Sequence, residues 1–449
     1  MSHKKCPAHM CLLLPIVLML IIPASAEWKE KVLYSFQGGS KDGSTPAGGV
    51  VFGPQGNLYG VLQDYGPGSC APIGNQCGAV FQLAPPAQKG DPWTETLIYR
   101  FKGKGANDGE SPNGGLLIDS HGNLYGVTAY GGNGDCILLG VKAGCGTVYE
   151  ISPPKQKGGA WTETILYSFP TAKQGYVPNG DLVFDSAGNL YGATLFGGGK
   201  GTTCDPFYQY CGAVFKLSPP KTKGGKWTEK VLHAFAGGTD GAQPNGGLVL
   251  DSRGAMYGTT IWGGSATCQG PGCGTAFQLN PPTEETGGAW SEKILHRFTG
   301  SNDGEGPNGS LIFDTKGALY GTTVNGGPGN AFGTVFRLSP PNGRSRPWTE
   351  TFVHVFSSCN GSAPCEPNTS VIFDYATGNL YGVGANFLFR MKPPVLRGGN
   401  WSLVRLYKFK GSPDGSDPVG LIFGSSGEIY GLTGGGGASG NGTVFRAAP

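Results

Sequence analysis

The chain has 449 residues and a formal charge of +3, and its 82 Gly and 34 Pro make up about a quarter of the sequence. Glycine at that density excludes a helical protein, because it weakens every helix it enters. The near-neutral balance excludes a nucleic-acid binder held by bulk charge, and 11% aromatic residues argue against a disordered chain.

Lys4 and Lys5 precede an apolar run over residues 11–22, and Ala24-Ser25-Ala26 supplies a small-residue cleavage pattern. This reads as a signal peptide over residues 1–26, with an uncleaved anchor as the alternative. The run is short for a membrane span, so no membrane insertion is expected after cleavage. Residues 27–449 are then expected to form one domain.

Trp recurs at positions 28, 93, 161, 227, 290, 348 and 401, and the same text follows each time. The second copy reads WTETLIYRF, NDGESPNGG, LLID, GNLYGVT and CGTVYEISPP. Self-similarity at this period is the mark of a repeat architecture. WTETLIYRF alternates, which places Trp93, Glu95, Leu97, Tyr99 and Phe101 on one side of a strand. GLLID is a short apolar run suited to a buried strand, and NLYGVT and GTVYEI carry the β-branched and aromatic residues that strands prefer. Gly, Pro, Asn and Asp between them form turns.

Four strands repeated seven times predict an all-β, seven-bladed β-propeller of four-stranded antiparallel blades. GLLID should be innermost and the Trp strand outermost. The chain then begins with an outer strand and ends with three inner ones. The segment from Trp28 to Phe36 should therefore close the ring beside Thr443 to Arg446, leaving no open edge. An open solenoid is the alternative.

Ten cysteines outside the leader form five neighbour pairs: Cys70/Cys77, Cys136/Cys145, Cys204/Cys211, Cys268/Cys273 and Cys359/Cys365. An even count behind a signal peptide implies disulfides. No CxxC occurs, so zinc in these loops is not expected. Four pairs lie between the second and third strands of a blade. The Asp-Gly segments that enter each inner strand share that face, here called upper.

Asp42, Asp108, Asp240, Asp303 and Asp414 each precede Gly in the upper loops. Calcium or a polyol is the ligand such carboxylates suit, although a lone Asp in a turn more often caps that turn. No other cofactor is expected. His233, His296 and His354 stand where other copies have Tyr34, Tyr99, Tyr167 and Tyr407, which reads as packing or hydrogen bonding. Glu30, Glu95, Glu163, Glu229, Glu292 and Glu350 recur in six copies. Recurrence points to a structural bond, because catalysis breaks symmetry. No GxSxG, HExxH or phosphate-binding pattern stands in a suitable context. In the sixth copy, YGVGANFLFRMKPP nearly deletes an upper loop and opens one side of the rim.

The string YGTTVNGGPGNAFGTVFRLSPP, from Tyr320 to Pro341, resembles the GloVer (Gloeo/Verruco) tandem repeat of secreted bacterial proteins. The resemblance implies an extracellular or cell-surface location, with the periplasm as the variant. It brings no catalytic residues.

The expected role is a monomeric, non-enzymatic binding propeller for an extracellular glycan or protein. Its upper-face aromatics Tyr65, Tyr130, Phe196, Tyr208 and Trp262, with Phe207 and Tyr210 beside them, would stack on the ligand. The alternative is a lyase or hydrolase acting on polysaccharide or a cyclic metabolite. Mapping of non-reduced peptides is expected to recover the five neighbour cystines, and any bridge between copies would contradict the loop assignment.

Overall fold

The computed structural model describes residues 27–64, 77–138, 140–199, 211–222, 224–265, 268, 270–284, 286–329, 331–341, 347–361, 363–396 and 398–449. The leader, Tyr65, Cys70, Cys204, Phe207, Tyr208 and Tyr210 lie outside them. The described residues form seven antiparallel blades, each with an inner, a second, a third and an outer strand. Blade 1, for example, comprises Ser44–Phe52, Leu58–Asp64, Ala79–Ala84 and Thr94–Arg100. In blade 4 the inner strand is broken into Ala242–Pro244 and Val249–Leu250.

Closure follows the sequence expectation. The strand Lys29–Ser35 pairs with the last strand, Thr443–Ala448, with Lys29 opposite Ala448 and Ser35 opposite Thr443. The first strand of the chain is therefore the outer strand of blade 7.

Two features of the strands differ from the expectation. The inner strand begins earlier than GLLID. In blade 2 it runs Gly109–Ile118 and includes the PNGG segment, with a register shift between Asn113 and Leu117. The outer strand does not keep one face throughout. Pairing with the third strand shifts between Val80 and Phe81, leaving Ile98 as an extra residue between Leu97 and Tyr99. A bulge of this kind reverses which side the following residues face. Trp93 and Leu97 accordingly pack between blades 7 and 1, whereas Tyr99 and Phe101 pack between blades 1 and 2. The same shift occurs in every outer strand. One strand thus serves both of its neighbours.

The seams between blades are built from aromatic rings. The Phe that ends each outer strand meets the aromatic residue on the third strand of the next blade. The ring centroids lie 5.2 Å apart for Phe36–Phe81, 5.0 Å for Phe101–Tyr149 and 5.1 Å for Phe298–Phe336. That third-strand ring lies across the Gly of the Tyr-Gly pair. A Cβ on Gly126 would stand 2.6 Å from Tyr149 Cζ, so no larger residue fits. The Tyr of the pair is used too: Tyr59 packs on Trp161 and Tyr320 on Trp401, each from the following blade.

On the lower face Asp119 closes the hairpin. Its Oδ1 accepts from His121 N and Asn123 N, and its Oδ2 accepts from Asn123 Nδ2 and Tyr125 Oη. Asp185 repeats all four bonds with its own neighbours.

Removing residues 27–36 should strip Trp28, Leu33 and Phe36 from the core. At about 1.5–3 kcal/mol each, the expected loss is roughly 5 kcal/mol or more, with self-association through the bared edge of the last strand. Thermal unfolding and size-exclusion profiles matching those of the intact protein would overturn the closure role.

Candidate functional site

The inner strands surround an axial cavity of about 530 Å³. Its lining comes from the PNGG segments and the apolar residues that follow them in the inner strands. Glycine is required here by close approach. Gly114 has φ 81°, and a Cβ on it would stand 2.5 Å from Gly180 O of the next blade. The neighbouring asparagines form a head-to-tail amide chain. Asn113 donates to Asn179, Asn179 to Asn245, Asn245 to Asn308, and Asn308 Nδ2 to Asn368 O at 3.0 Å. Each amide carries two N–H donors and an oxygen with two lone pairs, so the chain leaves each side-chain amide with unused capacity.

Asp181 is the one carboxylate in this lining. Where it stands, other copies have Gly49, Gly115, Gly247, Ser310 and Ser370. Gly115 N donates to its Oδ1 at 2.5 Å. The surrounding protein pushes the carboxyl above its ordinary value, against that hydrogen bond. The side chain is exposed to the cavity. Sequence reasoning missed Asp181, although its departure from Gly and Ser was visible in the repeat.

The predicted Asp residues do not line the axis. They stand at the seams, each with a residue from either side. Tyr34 Oη donates to Asp42 Oδ2 at 2.6 Å, while Gln37 N and Gly38 N donate to Asp42 Oδ1 at 2.8 and 2.9 Å. Tyr99 bonds Asp108 and Tyr407 bonds Asp414, both at 2.8 Å. His296 Nε2 lies 2.9 Å from Asp303 Oδ2. The recurring Glu of the next blade enters the same place. Tyr34 and Asp42 meet Glu95, Tyr99 and Asp108 meet Glu163, and Tyr407 and Asp414 meet Glu30. Between blades 2 and 3, Tyr167 meets Glu229 with no Asp. The sequence reading named all three positions, offering the Asp residues as calcium or polyol ligands or as turn caps and the Glu and His residues as structural. It could not see that they converge, because the outer-strand bulge brings them together from different copies.

At six seams Glu Oε1 is buried without a hydrogen bond from the protein. Burial pushes Glu30, Glu95, Glu163, Glu229 and Glu350 up to about 7. The neighbouring Asp adds to the rise at all of these but Glu229. Glu292 goes further, to about 9, through burial and then Asp240. Burial also works against ionised Asp240, but His233, Glu292 and Ala236 N outweigh it and hold that group at about 2.

Of the predicted upper-face aromatics, Tyr130 and Phe196 are half-buried against the core between blades 2 and 3, and Trp262 against that between blades 3 and 4. Phe196 packs on Tyr176 at 5.3 Å. They cap blade cores, Tyr130 and Phe196 at one seam and Trp262 at the next. Disulfides join Cys136 to Cys145, Cys268 to Cys273 and Cys359 to Cys365. Cys77 and Cys211 are also disulfide-bonded. Cys145, Cys211, Cys273 and Cys365 belong to the buried clusters, so the upper loops are anchored to the core. In blade 6 the upper loop is cut to Ala385 and Asn386, as the sequence indicated.

The seam carboxyls set a pH dependence. A Glu whose value rises on folding binds its proton more tightly in the native state. Its contribution is full below the unfolded value of 4.5 and is lost as pH rises through about 7. The melting temperature is therefore expected to fall between about pH 5 and pH 8, and Glu95→Gln should flatten part of that slope. A melting temperature that rises across this range, or an unchanged slope in the variant, would contradict it.

No curated protein matches the chain. Solved structures similar to it include a putative gluconolactonase, at 16% identity over 67% of this chain and 80% of that one, with a TM-score of 0.34. A Trichoderma reesei enzyme of carbohydrate-active family AA12 has 13% identity over 95% and 96%, with a TM-score of 0.43. A glucose dehydrogenase has 15% identity over 94% and 99%, also with a TM-score of 0.43. The family model of the Gloeobacter/Verrucomicrobia repeat matches residues 18–204 and 138–386, more than half of the chain. The chain belongs to the Gloeobacter/Verrucomicrobia repeat family.

Proposed function

We propose that the protein is an extracellular binding propeller that receives a polyhydroxylated ligand, a segment of glycan, in its axial cavity without changing it chemically. The observation that carries this reading is the cavity lining: a chain of side-chain amides with one carboxylate, Asp181, among glycines. Amides and a single carboxylate suit hydroxyl groups, which both donate and accept. Exposed backbone at the glycines lets a ligand approach closely. A cavity of this size is within the range of small-ligand sites. The disulfide-anchored upper loops support residence in an oxidising compartment after export. A cystine that closes a loop orders it in advance, which lowers the entropic cost of binding.

A glycan array probed with the mature protein, with and without calcium, tests the reading. Binding to a defined glycan class is expected, and Asp181→Asn should weaken it ~10–100-fold, the loss of one charge-assisted hydrogen bond of about 1.5–3 kcal/mol. Binding abolished by Trp262→Ala but untouched by Asp181→Asn would move the site to the upper rim. Turnover of a polysaccharide would replace binding with catalysis.

A further inference from the structure

We propose that His233, Asp240 and Glu292, at the seam between blades 3 and 4, form a zinc site. His233 comes from the outer strand Thr228–Ala234 of blade 3, Asp240 from the loop entering blade 4, and Glu292 from the outer strand Ser291–Arg297 of blade 4. His233 Nε2 lies 3.4 Å from Asp240 Oδ2 and 3.8 Å from Glu292 Oε1. Ligands about 2.0–2.1 Å from a tetrahedral zinc ion lie about 3.3–3.4 Å from one another. The 3.4 Å contact fits atoms that share an ion, the 3.8 Å contact stands wider than that, and both are long for atoms that share a proton.

The other seams supply the contrast. Between blades 4 and 5 the same three residue types occur, but His296 Nε2 closes on Asp303 Oδ2 at 2.9 Å. Where Tyr replaces His at a seam with an Asp, its hydroxyl bonds that Asp. At the seam between blades 3 and 4, His233 Nε2 and Glu292 Oε1 are both buried and neither makes a hydrogen bond. A cation at that spot would give both atoms a partner. The Arg297 charge acts on Glu292, while its Nε donates to Thr239 O at 3.1 Å. The only other close grouping of this kind among the described residues, Cys359, Cys365 and Glu366, is already closed by its disulfide. His233 also borders a surface cavity of about 490 Å³ with Lys230 and Trp290. Three protein ligands leave a fourth position for water.

The experiment is zinc titration of chelator-treated full-length mature protein, with metal content measured after dialysis. One zinc ion per chain and a raised melting temperature are expected. Cobalt in place of zinc should give the absorption of a tetrahedral site. His233→Tyr installs the residue used at sister seams, so it should fold and lose zinc affinity by more than the ~10–100-fold that removal of an outer-shell partner costs. His296→Tyr should keep full zinc binding. Glu292→Gln, which retains shape and hydrogen-bonding capacity, is a second test should His233→Tyr fail to fold, and it should also lose zinc. Absence of zinc uptake by the unaltered protein, or equal uptake by His233→Tyr and Glu292→Gln, would overturn the site.

Discussion

Every seam of this ring depends on one aromatic contact: the Phe that ends an outer strand, pressed edge-on or tilted against a ring of the next blade. The contact is made seven times, with centroid distances from 4.9 to 5.6 Å. Such a pair contributes about 0.5–1.5 kcal/mol beyond the burial of its area. It needs space, and glycine supplies it, because the receiving ring crosses the Gly of the Tyr-Gly pair. The axis imposes the same demand where inner strands approach one another. A chain with 82 glycines can therefore be rigid: much of its glycine marks places where a neighbour occupies the position of a side chain.

The blade count, the strand order and the closing strand were legible because each depends on local text. Tyr-Gly, Pro-Pro and the repeated Trp fix the strand boundaries, and the three cystines with both partners described join the expected neighbours. The bulge at Ile98 was not legible. A strict alternation of Glu95, Leu97, Tyr99 and Phe101 suggests one face, and the extra residue that breaks it carries no mark of its own. The seam clusters stayed hidden for the same reason. Tyr99 and Glu163 stand 64 residues apart, and only a two-faced strand brings them together. Asp181 was within reach, because a carboxylate among Gly and Ser is a visible departure from the repeat.

Repetition also separates structure from chemistry. Six seams use a Glu in much the same way, and that sameness identifies a structural role. Information about function sits in the departures: the lone axial Asp181, the unbonded His233 beside Asp240 and Glu292, and the shortened upper loop of blade 6. Each departure is a change at one position of a framework that tolerates it, because the neighbouring seams carry the load. A ring of near-equal units can lose symmetry locally without losing its fold.

Closure by the first strand imposes an order on biogenesis. Most seams join segments about one repeat apart, as in the 66 residues between Asn113 and Asn179. The last joins Ser35 to Ala438 across 403 residues. The added loop-closure entropy is modest, roughly 1.6 kcal/mol for a six-fold longer loop. The constraint on timing is larger. The segment emerging first has no partner until the final strand exists, so a nascent chain must hold Trp28, Leu33 and Phe36 uncommitted while six blades assemble behind them. The apolar stretch at the head of the ring is the part of the molecule most in need of protection during synthesis, and the part that completes the ring at the end.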